Sequence, residues 1–240
     1  MNECLQTKKD GSVWTLSLNR PDKRNALDAE LVEALIDAVE QAQAVNVDVL
    51  VLRGEGKNFC AGFDFTGFER LGEGELLWRF VRIEQLLQML NHLPVLTVAL
   101  AHGKNFGAGV DLMAACKHRV ASPDATFRMP GLKFGLVLGT RRLARLVGAE
   151  RARQIQQVAQ TLDAAAALSA GLVSVVQDVN AWEAIVTEQV QAASLLSPAA
   201  RVSLYRVLHV DTDDADMSEL VRSVVTPGLK QRIAKYRAEG

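Results

Sequence analysis

The chain has 240 residues, 49% of them apolar and 23% charged, enough to bury about 70% of the surface that an open chain exposes. Twenty-seven basic against twenty-eight acidic residues leave a formal charge of −1, which argues against a general polyanion or nucleic-acid binder. The start, MNECLQTKKDGS, lacks the apolar run of a secretory signal, and the longest apolar stretch, residues 93–101, is far too short to span a membrane.

Along the chain, Val13–Leu18 alternates apolar and polar residues and reads as a strand. Arg20-Pro21-Asp22-Lys23 is a turn, and Asp28 is placed to cap a helix carrying Leu31, Ala34, Leu35, Ala38 and Val39 at spacings of three and four. Residues 47–52 form a nearly continuous β-branched and Leu run, the pattern of a strand buried on both faces. A Gly-rich loop over 54–62 precedes a helix expected over 76–90 and a second buried strand over 95–101. His102 to Gly109 reads as a loop and 110–116 as a helix. Short strands are expected over 119–121 and 126–129, on either side of the turn Ser122-Pro123-Asp124. Beyond Gly139 the pattern is mostly helical, with one strand expected over 172–176. Strands and helices alternating early, with helices dominating the last third, indicate an α/β core with a helical C-terminal region. Cys4, Cys60 and Cys116 lack metal-ligand spacing and fit a reducing, cytoplasmic compartment, and four scattered histidines give no metal site.

Two loops place small residues after buried strands: Phe59-Cys60-Ala61-Gly62-Phe63-Asp64, and Gly107-Ala108-Gly109 at the start of a helix. Gly and Ala leave backbone N–H groups uncovered, and a helix start adds free N–H groups and a positive dipole end. Such groups converging on one point hold a carbonyl oxygen as it becomes an oxyanion. Tight turns that exclude larger side chains explain the same residues.

These loops, together with Leu18-Asn19-Arg20-Pro21-Asp22-Lys23-Arg24-Asn25-Ala26-Leu27, Phe134-Gly135-Leu136-Val137 and Arg142-Leu143-Ala144-Arg145-Leu146-Val147-Gly148 in that order, resemble the enoyl-CoA hydratase/isomerase (crotonase) superfamily. The resemblance implies a spiral of ββα units with a helical C-terminal region. It divides the chain into an acyl-CoA-binding core, residues 1–190, and a helical region, 191–240, for trimerisation and site cover. It implies an acyl-CoA thioester as substrate, with coenzyme A as part of that substrate and no other cofactor, and a homotrimer or hexamer.

Carried over position by position, the resemblance makes the backbone N–H groups of Phe63 and Ala108 an oxyanion hole. Arg20, Lys23 and Arg24 become candidates for the CoA phosphates, and Ala26 and Ala61 walls of the adenine side. Gly62, Asp64, Gly107, Gly131 and Leu136 complete the substrate-binding set, with Lys230 and Lys235 as further basic candidates. Of two acidic residues that many members use, Asp111 keeps one, as the candidate acid/base or as a helix-start residue favoured by the dipole. Gly131 stands where the other is expected. This departure leaves three readings open: hydratase/isomerase; hydrolase or decarboxylase; and a non-catalytic acyl-CoA-binding protein. Leu138-Gly139-Thr140 shortens a turn that shapes the acyl pocket. Arg128 is an odd charge between Phe127 and Met129 that either meets a polar acyl tail or points to solvent.

Overall fold

Burial alternates along the central strand. Val49 and Val51 face one apolar cluster and Leu50 and Leu52 the other, as the two-residue side-chain period requires of a strand covered on both sides. The structure is a computed structural model and describes residues 3–239. In chain order the elements are β1 (Leu5–Asp10), β2 (Val13–Leu18), α1 (Ala29–Ala44), β3 (Val49–Gly54), α2 (Glu73–His92), β4 (Leu96–Ala101), β5 (Lys104–Phe106), α3 (Ala108–Ala114), β6 (His118–Ala121) and β7 (Thr126–Arg128). They continue as α4 (Thr140–Val147), α5 (Ala149–Val158), β8 (Thr161–Asp163), α6 (Ala164–Ser169), β9 (Val175–Val176), α7 (Trp182–Ser194), α8 (Pro198–Leu208), α9 (Asp213–Val225) and α10 (Leu229–Glu239).

Six strands form one sheet in the order β1-β2-β3-β4-β6-β9, and β5-β7-β8 form a second. Only the β1–β2 pair of the first sheet is antiparallel. α1 begins at Asp28, whose carboxylate accepts from the Leu31 N–H at 2.9 Å, and turns Leu31, Leu35, Val39 and Ala42 into the core. α2 does the same with Leu76, Phe80, Ile83, Leu87 and Leu90. On the opposite face, Trp182 and Ala193 of α7 pack on Val49, Val51 and Val98.

The α/β core and helical last third match the reading from sequence. Three strands escaped it. β1 is an edge strand with five exposed residues of six, and β5 and β8 have three residues each, too few to show a period. The strand expected over 172–176 shrinks to Val175–Val176, because Leu172 and Val173 are core residues in the turn that ends α6.

β3 and β4 run parallel and in register, Val49 beside Leu96 through Arg53 beside Leu100. Their C-terminal ends therefore emerge side by side, and the loops that follow are neighbours. In open parallel sheets this is the end at which ligands bind.

Candidate active site

The two neighbouring loops are tied together by backbone. The Phe59 N–H donates to His102 O at 3.0 Å and the Phe106 N–H to Cys60 O at 3.2 Å. Asn58 accepts from the Lys104 N–H through its side chain at 2.8 Å. Two glycines permit the approach. A β-carbon on Gly62 would lie 2.3 Å from Phe106 O and 3.2 Å from Ala108 N, and one on Gly109 would lie 2.2 Å from Cys60 O. Gly62 also has a φ of +83°, which favours glycine.

The pairing at Leu27 fixes where Phe63 points. The Leu27 N–H donates to Gly62 O at 2.7 Å, and Leu27 O accepts from the Asp64 N–H at 3.0 Å. This is a parallel bridge to Phe63, which turns Phe63's own N–H to the opposite side. That N–H has no acceptor among the described residues. The N–H of Ala108 has none either, because Ala108 is the first residue of α3 and Gly107 O is taken by Val110 and Asp111.

Phe63 and Ala108 line one cavity of about 230 Å³, together with Ala61, Gly107, Asp111, Gly131 and Leu136. An aromatic chain makes much of its wall: Phe80 stacks on Phe63 (4.4 Å between ring centres), Phe63 meets Phe65 (4.9 Å), Phe65 meets Phe134 (6.0 Å), and Phe134 meets Tyr236 (5.3 Å). Tyr236 comes from α10, which packs on the short helical turn Gly131–Phe134 and covers the cavity.

Asp111 is 2% exposed. Its N–H bonds to Gly107 O at 3.1 Å. Oδ1 is buried without a partner, in the space that a β-carbon on Gly139 would occupy. Burial raises the Asp111 carboxyl well above the usual carboxylate range, Arg142 pulls against that shift, and Glu84 adds to it. Burial therefore favours the protonated form of this group. Behind it, Arg142 of α4 donates to Glu84 of α2 at 2.9 Å, both side chains at most 3% exposed. Desolvation lifts the Glu84 carboxyl even so. Arg142→Met would leave that carboxylate buried and unpaired, and is expected to cost about 3–5 kcal/mol in a denaturant melt.

Gly131 carries no carboxyl into the cavity, and a β-carbon there would sit 3.1 Å from Leu136 O. Asp111 is thus the one carboxylic acid lining the cavity among the described residues. Gln156, 5% exposed, and Arg128 also line it. Sequence reasoning missed Gln156 and left Arg128 between cavity and solvent.

The remaining basic and polar candidates divide. Arg20 is committed internally: Nη2 pairs with Asp28 and Asp64, each at 2.9 Å, and Nη1 donates to Ala26 O. Burial works to raise the Asp64 carboxyl, but hydrogen bonds from Thr66 and Arg20 outweigh it and hold the group low. Both residues shape the loop. Arg20→Met should lower stability by about 1–3 kcal/mol in a denaturant melt, since it strands the Asp64 carboxylate. Lys23 and Arg24 keep exposed side chains, while Arg24 O accepts from the Ala61 N–H at 3.0 Å and so anchors the first loop. Lys230 is occupied by Glu69 O and Leu71 O at 2.6 and 2.9 Å.

The cysteines are all buried. Burial pushes Cys60, beside the loop, up to about 12, so it is no thiolate. His102 bonds Gly56 O at 2.9 Å. The histidines, scattered in sequence, are not all scattered in space: ligand atoms of His92, His209 and Asp211 lie within 4.8 Å of one another, outside the residues that line the cavity.

The family profile for enoyl-CoA hydratase/isomerase matches residues 8–222. The chain belongs to the enoyl-CoA hydratase/isomerase family. It is 35% identical over 223 residues to a probable enoyl-CoA hydratase of Mycobacterium leprae, which covers 89% of this chain and 84% of that one. A Bordetella parapertussis crystal structure assigned to the hydratase/isomerase family is 53% identical and superposes with a TM-score of 0.97 over 99% of both chains. An enoyl-CoA hydratase structure from Bacillus halodurans, 20% identical, shares the fold at a TM-score of 0.87, covering 97% of this chain and 99% of that one. The spiral α/β architecture is thus that of the family. Asp111, Phe63, Ala108 and Gly131 all line the cavity.

Proposed function

We propose that the protein is an acyl-CoA thioester-processing enzyme of the enoyl-CoA hydratase/isomerase kind, working with one carboxylic acid. The reading is supported by one cavity lined by Phe63 and Ala108, whose N–H groups have no acceptor among the described residues, and by the buried Asp111. The thioester oxygen accepts from both N–H groups, and its negative charge grows as an enolate forms. One such donor is worth about 3 kcal/mol to the transition state. In hydration, water oxygen bonds to C3 and Asp111 gives its proton to C2. The same carboxylate recovers a proton from the water, so the acid is regenerated and one water is consumed.

Lys23 and Arg24, exposed beside Ala61, supply cations for the CoA phosphates, and Ala26 and Ala61 the adenine-side wall. Lys23→Ala is expected to weaken CoA-thioester binding in a salt-dependent way while leaving stability within about 0.5 kcal/mol, as titrations at two ionic strengths and a melt would show. Residues 191–240 serve as site cover and trimerisation element. Support for a homotrimer or hexamer comes from the exposed apolar side chains Leu195, Val207, Leu208 and Val210. The buried cysteines Cys60 and Cys116, neither in a disulfide, fit a cytoplasmic setting. Among the described residues no helix is long and apolar enough to cross a membrane. No cofactor beyond the coenzyme A of the substrate is required by these steps.

The test is a panel of enoyl-CoA, saturated acyl-CoA and malonyl-type thioesters, followed by mass spectrometry. Water addition or double-bond migration without thiol release supports the reading. Free CoA release moves the protein to the hydrolases, and CO₂ loss to the decarboxylases. Binding without any turnover makes it an acyl-CoA-binding protein.

A further inference from the structure

The acyl cavity is lined mainly by aromatic and aliphatic side chains, and besides Asp111 its strongly polar members are Arg128 and Gln156. Gln156 lies on the inward stripe of α5 with Ala152, Ile155 and Ala159, all at most 5% exposed. Its carboxamide makes no hydrogen bond to any described residue, although it lines the cavity. An amide without a protein partner on a cavity wall is open to a hydrogen bond from a ligand or water.

Arg128 reaches the same place from β7. Its Nε donates to Ala159 O at 3.1 Å, and the Ala159 N–H in turn caps α5 at Gln156 O, 3.2 Å away. The guanidinium is therefore anchored at the C-terminal turn that carries Gln156. Its two Nη groups make no hydrogen bond or ion pair among the described residues. Arg128 is the one cation lining the cavity among the described residues. Burial disfavours the charged form of Asp111, the acid on the same lining. β7 also pairs with β5, Arg128 beside Phe106, and Arg128 O accepts from the Gly107 N–H at 2.8 Å. The cation thus belongs to the strand that abuts the second loop.

We infer that Arg128 and Gln156 form a polar end to the acyl cavity, which selects a short acyl-CoA whose acyl chain ends in a carboxylate. This rests on the acyl-CoA reading and names the substrate class for it. A guanidinium with free Nη donors matches a carboxylate, and the amide N–H adds a further donor. A cavity of about 230 Å³ is small, below the range of about 300–1,000 Å³ of larger ligand sites, so the chain is short.

The test uses a pair of unreactive thioesters matched at five carbons, pentanoyl-CoA and glutaryl-CoA, with affinity measured by calorimetry. Glutaryl-CoA is expected to bind at least about tenfold more tightly. Arg128→Met should bring the ratio to near one, Arg128→Lys should restore part of it, and Gln156→Leu should reduce it, with melting curves confirming that each variant folds. Equal or weaker binding of glutaryl-CoA by the parent overturns the inference, as does a ratio unchanged in Arg128→Met or failure to bind either thioester. The readout is affinity, so turnover without a glutaryl preference defeats this inference alone. A glutaryl preference without turnover of any thioester defeats the catalytic reading alone.

Discussion

Asp111→Asn is expected to lower turnover of the best acyl-CoA substrate by about 10²–10⁴-fold, to leave acyl-CoA affinity nearly unchanged, and to raise the melting temperature. The first effect follows because Asp111 is the only carboxylic acid lining the cavity among the described residues, and an amide does not exchange the proton. The third follows from linkage. The Asp111 carboxyl is raised well above its ordinary value of 3.8. Between the ordinary and the raised value the folded chain therefore holds more protons than the unfolded one, and stability falls as pH rises through that window. Above it the full cost persists, and the amide removes it. A gain of about 2–4 °C is expected for each kcal/mol relieved. The same shift gives a pH signature: if the neutral acid is the working form, kcat/KM falls as pH rises through the raised value and the limb is missing in the Asn variant. Equal turnover in parent and variant would remove Asp111 from the mechanism, and a lower melting temperature would refute the buried neutral carboxyl.

Gly109→Ala and Gly62→Ala are expected to cost about 10²–10³-fold in kcat, with stability falling as well. At Gly109 the added carbon meets the Cys60 carbonyl at 2.2 Å, and at Gly62 it meets Phe106 O at 2.3 Å. These are backbone atoms, so the loops themselves must part, and with them the N–H groups of Phe63 and Ala108. Overpacking costs about 1–3 kcal/mol, and the positive φ at Gly62 adds about 1–3 kcal/mol of strain. Gly74→Ala is the control. It sits in the first turn of α2 with nothing within 4 Å of the added carbon, and should stabilise by about 0.5–1 kcal/mol without touching kcat. Melting curves and steady-state kinetics on the three variants check this. Gly109→Ala with parental kcat would show that the two loops need not touch.

What the sequence exposed was mainly backbone chemistry. The two loops are rich in small residues because their backbones touch, so Gly62, Ala108 and Gly109 advertise the site directly. The buried strands were legible because a parallel sheet covered on both faces leaves continuous apolar runs. Glu84, Arg142 and Gln156 were not, although two of them carried a signal. Glu84 lies on the stripe of Leu76, Phe80, Ile83 and Leu87, and Gln156 on that of Ala152, Ile155 and Ala159. A polar residue at an apolar position is the mark of an inward-facing polar group, but single polar residues on short amphipathic helices are usually solvated. Arg142 gave less. It stands beside Arg141 and Arg145 in α4, and only tertiary packing turns it inward against Glu84. Arg20 carries a contact that sequence did not show: this basic turn residue is held by Asp28 and by Asp64, the latter 44 residues away, a pairing that local sequence does not display.

The most direct test of an enolate-stabilising site with Asp111 as its proton carrier is hydrogen exchange at the α-carbon of a saturated thioester. Butanoyl-CoA is incubated with the protein in D₂O and its mass followed with time, with Asp111→Asn run in parallel. The account predicts incorporation of up to two deuterons at C2, catalysed by the parent and lost in the variant. Butanoyl-CoA that binds the parent yet gains no deuterium, or exchanges equally fast in Asp111→Asn, would contradict it.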